Sequence, residues 1–309
     1  MDGAQAPAKV KTAIDNGVGI ITLYDPGTLN AAGMELMADL NAAFQAFAYD
    51  DSVRAIVITG EGRGFCSGAN LSGGGGAARP ATNQGPNQSL LQIYNPFVTS
   101  LRRSPKPLVA AVNGVAAGVG VSLALACDLC VAAESSYFLL AFRRIGLVPD
   151  GGATWLLPRL VGKARAMELM LLGEKLPAKT AAEWGLINRA VPDADLMDAA
   201  MQYARALADG PASLGLTRNL VWDALDAEWA IQLEAEAYGQ GALDLVDSPL
   251  RAHAARVEVS GETVFFYTQD ARALLEALST RAGLRTLHRP ANLEDLFLKL
   301  TGRQIREEA

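Results

Sequence analysis

The feature that most constrains the fold is an alternation of short apolar strands with helices that follow glycine-containing loops. Runs of β-branched and apolar residues at 54–59, 108–112 and 128–133 predict buried strands. Residues 33–49 carry apolar side chains at helical spacing, and 114–126 predicts a helix that opens on a glycine. Strand–loop–helix order of this kind is typical of α/β domains, so we expect that fold class.

The flanking segments have a different character. Residues 9–24 predict a hairpin around an Asn-Gly turn, and 163–236 predict an almost wholly helical region. After about Ser248 the pattern predicts a small α+β unit of the order β-β-α-β-α. Its predicted strands are 255–259, 263–268 and 284–288, and its predicted helices are 270–282 and 292–300.

Composition excludes several classes of protein. Half of the 309 residues are hydrophobic and 19% are charged, which suits a well-buried core and not a disordered chain. The net charge of −6 gives no basic footprint for nucleic acid, so we expect no nucleic-acid partner. We also expect no secretory signal at the start, and no membrane span, because the apolar stretch 108–126 is interrupted by Asn113 and glycines. Three cysteines fit a reducing compartment, and we expect a cytoplasmic protein.

Two histidines, His253 and His288, are all that the chain contains, and both lie near its end. This excludes a Ser-His-Asp or Cys-His nucleophile, and a histidine-ligated metal site, in the first 250 residues. Cys127 and Cys130 form a C-x-x-C pair within an apolar run, without a second pair. We expect buried structural thiols there and no metal site.

Two glycine-containing segments are candidates for binding a substrate. GFCSGANL at 64–71 directly follows a strand, and NGVAAGVG at 113–120 opens a helix. Small residues let a ligand approach the main chain, and a helix N-terminus adds a positive dipole. Two converging peptide N–H groups could hold the oxygen of a carbonyl that becomes an enolate. Alternatively, the glycines only allow helix and strand to pack closely.

A third segment, GLVPDGGATW at 146–155, places a carboxylate just before a predicted helix. Asp150 could cap that helix, since aspartate is a favoured N-cap residue. It could equally act as a general base in a cleft.

Three motifs carry a resemblance to a known family. They are FCSGANL at 65–71, KPLVAAVNGVAAGVGVSLALACDL at 106–129 and GLVPDGGATWLLPRLVGKARAMELMLLGEKLPAKTAAEWGLIN at 146–188. Residues 9–247 resemble the crotonase (enoyl-CoA hydratase/isomerase) superfamily. The resemblance implies a spiral of ββα units, a helical oligomerisation region and a homotrimer or hexamer. It implies an acyl-CoA substrate, so that CoA enters with the substrate and no separate cofactor is needed.

The resemblance also implies a reaction. Its oxyanion hole would fall on the peptide N–H groups of Ser67 and Val119. Hydratases of the family use two glutamates, and this chain has Ser122 and Phe142 at those positions. Asp150 falls where isomerase branches carry a catalytic aspartate, and the stretch 146–162 resembles the ring-epoxide and 3-enoyl-CoA isomerase branch of phenylacetate catabolism. An acyl-CoA isomerase with Asp150 as acid and base is therefore expected.

Alternatives remain open beside the isomerase. They are a hydratase-like enzyme, a dehalogenase-like enzyme in which Asp150 attacks an aromatic acyl-CoA, and a silent acyl-CoA-binding protein. Burial near Phe138, Phe142 and Trp155 would raise the pKa of Asp150. Alternatively, these three side chains are ordinary core residues. The CoA-contacting positions that the resemblance implies are Asn30, Ala31, Ala32, Ser67, Gly68, Ala69, Asn70, Leu71, Gly118 and Gly120.

The last part of the chain carries a second resemblance. RVEVSGETVFFYTQDARALLEAL at 256–278 and LEDLFLKLTGRQIREEA at 293–309 resemble the C-terminal end of a drug-exporter-type ABC transporter ATPase. No Walker A sequence occurs in the chain, so we expect no ATPase activity. We therefore predict three regions: the spiral core 1–190, the helical oligomerisation region 191–248 and an appendage at 249–309.

Overall fold

The structure is a computed structural model that describes residues 8–70, 86–246, 249–260, 263–279 and 286–288. The chain divides into two compact units, Met1–Gly215 and Leu216–Ala309. The divisions predicted after residues 190 and 248 stay predictions.

The first unit alternates short strands with helices. In chain order its elements are β1 (Val10–Asp15), β2 (Val18–Leu23), α1 (Met34–Ala48), β3 (Ala55–Gly60), β4 (Gly64–Cys66), α2 (Pro86–Ser89), a π-helical turn (Leu90–Tyr94), α3 (Asn95–Arg102), β5 (Leu108–Val112), β6 (Val115–Ala117), α4 (Val119–Leu125), β7 (Leu129–Ala133), β8 (Tyr137–Leu139), α5 (Ala153–Leu172), β9 (Lys175–Pro177), α6 (Ala178–Glu183), β10 (Arg189–Val191), α7 (Leu196–Ala208) and the start of α8 (Ser213–Ala224). Short 3₁₀ turns lie at Pro26–Thr28, Ala141–Ile145 and Asp193–Asp195.

These strands form two sheets. The larger has the order β1-β2-β3-β5-β7-β10, in which β1 and β2 form an antiparallel hairpin and the rest pair in parallel. The smaller has the order β4-β6-β8-β9, with β9 antiparallel at its edge. Three times in succession the chain adds a strand to the larger sheet and then one to the smaller: β3 and β4, β5 and β6, β7 and β8. This is the predicted α/β spiral of ββα units, which is confirmed.

The core explains why the strand sequences are continuously apolar. Strands β3 and β5 lie in the middle of the larger sheet, and every residue of β5 is buried. On one face, β3, β5 and β7 pack against α7 through Ala200 and Ala204. A strand of a parallel sheet that is covered on both faces has no solvent side, so its polar alternation disappears.

The structure differs from the sequence prediction where elements are very short. The predicted helix 114–126 begins as strand β6 and turns into α4 only after Gly118. The helical region predicted at 163–236 contains strands β9 and β10. Three-residue strands span less than two alternation periods, so hydrophobic periodicity cannot reveal them.

The second unit contains the rest of α8, α9 (Trp229–Val246), a 3₁₀ turn (Pro249–His253), β11 (Arg256–Ser260), β12 (Thr263–Tyr267) and α10 (Ala271–Ser279). Strands β11 and β12 form an antiparallel hairpin, so the predicted β-β-α order is confirmed as far as α10. Residues 286–288 have no regular structure, against the predicted strand 284–288. The predicted helix 292–300 lies outside the described residues. None of the helices in the described ranges has the length and apolar character needed to cross a membrane.

Candidate active site

One side of the candidate site is the start of α4. Gly118 joins β6 to α4 with φ 52° and ψ −124°, and its N–H donates to the Leu139 carbonyl at 2.9 Å. No side chain caps the helix. The first N–H groups of a helix have no acceptor within that helix, and the helix dipole makes them attractive to negative charge. Val119, the first residue of α4, is 4% exposed, so its N–H lies at the protein interior.

The second glycine segment approaches the first through Gly68. This residue has φ 100°, and a Cβ on it would lie 3.1 Å from the Ala117 carbonyl oxygen. A Cβ on Gly118 would lie 3.6 Å from the Gly68 Cα. The two loops therefore contact each other through Gly68 and Gly118. The residues that follow these two glycines are Ala69 and Val119. Neither of their N–H groups donates to another described residue.

Ser67 has a different role from the predicted one. Its N–H donates to the Leu29 carbonyl at 3.0 Å, and its hydroxyl donates to the Thr28 carbonyl at 2.8 Å. A peptide N–H that is already bonded to a carbonyl is not available to a substrate oxygen. The structure therefore argues against Ser67 as the oxyanion-hole donor, and the N–H two residues further along has the suitable surroundings.

The segment that contains Asn30 lies beside this loop. Asn30 is fully buried with φ 56°, and its Nδ2 donates to the Gly64 carbonyl at 2.7 Å. Ala31 and Ala32 are also buried, and the Ala32 N–H donates to the Gly68 carbonyl at 2.7 Å. The Asn30 side chain thus shapes the turn that brings Ala32 to the glycine loop. Its predicted contact with CoA stays a prediction.

The remaining predicted CoA positions are arranged as follows. Asn70 is half-buried, and its Cβ would lie 3.3 Å from a Cβ on Gly33. A Cβ on Gly120 would clash with the Cys66 carbonyl, so this glycine is required by the packing of α4 on β4. The alternative in which glycine only allows close packing therefore holds at Gly120. Leu71 lies outside the described residues.

Asp150 stands in the turn before α5. The N-cap of α5 is Gly152, with φ 87°, and no side chain caps the helix. Asp150 is therefore not the N-cap residue. Its main-chain carbonyl instead accepts two hydrogen bonds, from the Ala153 N–H at 3.1 Å and from the Ser122 hydroxyl at 3.0 Å.

Asp150 is half-buried. Its Oδ1 atom is buried and has no hydrogen-bond partner among the described residues. Burial disfavours the charged form and raises the pKa of Asp150 to about 6, which confirms the predicted direction. A carboxyl group with such a pKa can take up and release a proton near neutral pH.

The three aromatic neighbours predicted for Asp150 differ in their surroundings. Phe142 is 5% exposed, and its Cζ would lie 3.8 Å from a Cβ on Gly118, so its ring borders the start of α4. Phe138 is buried within β8. Trp155 is half-exposed, and the guanidinium groups of Arg102 and Arg159 lie 4.8 Å and 4.0 Å from its ring centre. The Trp155 ring therefore packs against two cations.

Tyr94, the last residue of the π-helical turn, was not predicted from the sequence. Its side chain is buried, and its hydroxyl donates to the Ala32 carbonyl at 2.6 Å. Burial, together with the nearby Cys66 and Asp150, raises the pKa of Tyr94 to about 12, so the phenol is neutral. No motif marks Tyr94, but π-helical turns often occur at functional sites.

The site offers neither a reactive thiol nor a metal cluster in the described part of the chain. Cys66, Cys127 and Cys130 are buried and form no disulfide, and burial raises the pKa of Cys66 to about 11 and that of Cys130 to about 12. The Cys66 and Cys130 thiols are therefore not ionised at neutral pH. No group of three His, Cys, Asp or Glu residues in the described ranges could hold a metal ion. The groups that remain as candidates for chemistry in the described part of the site are the Asp150 carboxyl group and the peptide N–H groups.

Comparison with protein-family models gives two matches. The model described as enoyl-CoA hydratase/isomerase matches residues 13–243. The model described as the C-terminal domain of the nodulation factor export protein NodI matches residues 243–302. The second description names an export protein, and the predicted resemblance of the tail to an ABC transporter ATPase is not supported.

Individual relatives agree with the first match. The chain is 44% identical to the 1,2-epoxyphenylacetyl-CoA isomerase of Escherichia coli over 225 residues, which cover 72% of this chain and 85% of the relative. It is 43% identical to a Rhodobacter capsulatus protein named "Probable enoyl-CoA hydratase" over 237 residues, which cover 76% of this chain and 89% of that relative.

Solved structures of the same kind are also similar. An enoyl-CoA hydratase from Polaromonas has a TM-score of 0.72 at 33% identity, covering 79% of this chain and 94% of its own. A monofunctional enoyl-CoA isomerase from M. smegmatis has a TM-score of 0.64 at 33% identity, and the match covers 74% of this chain and 100% of the isomerase. With a family model that matches most of its length, and relatives above 40% identity, this chain belongs to the enoyl-CoA hydratase/isomerase family.

Proposed function

We propose that the protein is an acyl-CoA isomerase in which Asp150 carries the proton. It shifts a double bond from 3-enoyl-CoA to 2-enoyl-CoA or rearranges a ring-epoxide acyl-CoA. The observation that carries the proposal is the buried Asp150 carboxyl group, which lacks a hydrogen-bond partner for Oδ1 among the described residues and has a pKa of about 6. Such a group suits a proton shuttle that works in both directions.

In the enoyl reaction, the thioester oxygen accepts hydrogen bonds from the Ala69 and Val119 N–H groups. The Asp150 carboxylate removes a proton from the carbon next to the thioester carbonyl, and an enolate forms. The carboxyl group then returns the proton two carbons further along, which moves the double bond into conjugation. Loss of one such N–H donor typically costs about 3–4 kcal/mol of transition-state stabilisation.

The side chains around Asp150 support isomerisation over water addition. Ser122 and Phe142 occupy the positions where the family resemblance places the two hydratase glutamates. The Ser122 hydroxyl is bonded to the Asp150 carbonyl, and Phe142 is an apolar buried ring. Neither can act as the second carboxylate, whereas isomerisation needs one.

The comparisons support two substrate classes. The name of the E. coli relative supports a ring-epoxide acyl-CoA, and the similarity to the M. smegmatis enoyl-CoA isomerase supports an enoyl-CoA. The proposal includes CoA that enters as part of the substrate, a homotrimer or hexamer, and a cytoplasmic location.

The test is turnover of 3-enoyl-CoA, followed by the absorbance of the conjugated product, in the wild type and in Asp150→Asn. We expect the substitution to lower kcat by about 10²–10⁴-fold, the usual contribution of general acid–base catalysis. Turnover within a few-fold of the wild type would contradict the proposal.

Asp150→Asn should not owe its inactivity to unfolding. Because the folded-state pKa of Asp150 is raised, ionisation of this carboxyl group destabilises the fold progressively as the pH rises from its ordinary value of 3.8 to about 6, and the loss is complete above that pH. The asparagine amide does not ionise, so the substitution removes this loss of stability. We therefore expect the variant to melt at the same temperature as the wild type, or higher, at pH 8.

The names of other relatives favour hydration as the second candidate function. Loss of 2-enoyl-CoA absorbance without isomerisation of 3-enoyl-CoA would support it. Halide release from a halobenzoyl-CoA would indicate attack by Asp150 on an aromatic ring. Binding of CoA thioesters without turnover of any of these substrates would identify a silent binder.

A further inference from the structure

We propose that Ser122 is a positioning residue that locks the turn carrying Asp150 onto α4, and so fixes the distance between the base and the oxyanion hole. The inference rests on the proposed function, because it assigns Ser122 a role in that same proton transfer.

The first observation is the hydrogen bond itself. Ser122 is fully buried in the middle of α4, and its hydroxyl donates to the main-chain carbonyl of Asp150 at 3.0 Å. The Ala153 N–H donates to the same carbonyl at 3.1 Å. The peptide that follows the base is thus held from one side by α4 and from the other by α5.

The second observation is the packing next to this bond. Gly151 has φ 59°, and a Cβ on it would lie 2.9 Å from the Ser122 Cβ and 3.3 Å from the Val119 Cγ2. Residues 119 and 122 are three apart on α4 and share one face of the helix. The turn therefore rests directly on the face whose first residue supplies the oxyanion-hole N–H.

The third observation concerns the carboxyl group. No described residue donates a hydrogen bond to Asp150 Oδ1, so no such bond anchors that atom. The position of Oδ1 then depends on where the backbone of the turn is held. The hydroxyl of Ser122 contributes to that hold through its hydrogen bond to the Asp150 carbonyl.

The test uses Ser122→Ala, with Ser136→Ala as a matched control. Ser136 is also buried, and its hydroxyl also donates to a main-chain carbonyl, that of Ala133, at 2.7 Å. We expect Ser122→Ala to lower kcat by about 10–100-fold with KM changed less than about threefold, because small displacements of a catalytic group reduce the rate steeply. We expect Ser136→Ala to leave kcat and KM unchanged.

A pH profile separates positioning from a general loss of stability. If the turn loosens, water reaches the Asp150 carboxyl group and its pKa falls towards the ordinary value. The acid limb of the kcat/KM profile should then move to lower pH in Ser122→Ala and stay in place in Ser136→Ala. Equal kcat values and profiles in the two variants would overturn the inference.

Two further variants keep the outcome readable. Ser122→Cys retains a weak donor, so we expect its kcat and pH profile to lie between those of the wild type and Ser122→Ala. If Ser122→Ala does not fold, the comparison uses Ser122→Cys instead. A Ser122→Cys variant with the same kcat and pH profile as Ser136→Ala would then overturn the inference. Asp150→Asn separates the two proposals. An active Asp150→Asn contradicts the proposed function, whereas an inactive one beside an unaffected Ser122→Ala contradicts only the role of Ser122.

Discussion

The starts of α4 and α5 both follow a glycine with positive φ, and the proposed mechanism assigns them different chemistry. Each helix begins after a glycine with positive φ, Gly118 at 52° and Gly152 at 87°, and neither has a side-chain cap. At α4 the apolar Val119 follows, and its N–H donates to no other described residue. At α5 the glycines follow Asp150, whose Oδ1 atom is buried without a partner among the described residues.

In both cases the glycine supplies only the positive-φ backbone conformation that precedes the helix. The chemistry is set by the neighbouring side chain and by what packs against it. In the proposed mechanism one helix start supplies hydrogen-bond donors and the other an acid and base, and the Ser122 hydroxyl on α4 donates to the Asp150 carbonyl before α5. Substitutions on each side should therefore have effects of different kinds.

The largest effect on the donor side is expected from Gly118→Ala. The backbone at Gly118 lies in a region that L-residues rarely adopt, so alanine would be strained by about 1–3 kcal/mol and would turn the Val119 N–H away. We expect kcat for isomerisation to fall by about 10²–10³-fold, as for the loss of an oxyanion-hole donor.

Gly185→Ala is the matched control for that strain. Gly185 has φ 76°, a Cβ on it would meet no atom within 4 Å, and it follows α6 at a distance from the Asp150 turn in the sequence. We expect a loss of stability of about 1 kcal/mol in thermal denaturation, with kcat unchanged. If Gly118→Ala kept wild-type kcat, the start of α4 would not be the donor side.

A smaller effect is expected from Tyr94→Phe. The substitution leaves the buried Ala32 carbonyl without its 2.6 Å hydrogen bond, which should cost about 1–3 kcal/mol of stability. Because Ala32 is bonded to Gly68, we expect the loop before Ala69 to loosen and kcat to fall several-fold. Tyr203→Phe on α7, where the ring stacks on Arg189, should change neither quantity.

Much of the fold could be predicted from the sequence. The 9–24 hairpin appears as β1 and β2, and the apolar run at 108–112 is β5. The elements that could not be predicted are very short or depend on pairing with distant parts of the chain. Strand β6 has three residues, and only its pairing with β4 and β8 makes it a strand.

The candidate site was predicted in part for a similar reason. The position of Asp150 followed from a motif, and its raised pKa followed from the expectation that it is buried. The engagement of the Ser67 N–H depends on the Leu29 carbonyl, 38 positions earlier in the chain. The burial of Tyr94 beside Ala32 depends on a contact across 62 positions, which no local pattern encodes.

The central claim is that Asp150 works as a buried carboxylate with a raised pKa. The most direct measurement is the pH dependence of kcat/KM for wild-type isomerisation between about pH 4.5 and 8.5. Because the ionised form is the base, kcat/KM should be constant above about pH 7 and fall about tenfold per pH unit below about pH 6. A profile that stays constant down to pH 4.5 would contradict the claim, since it would require a carboxylate with an ordinary pKa or a different base.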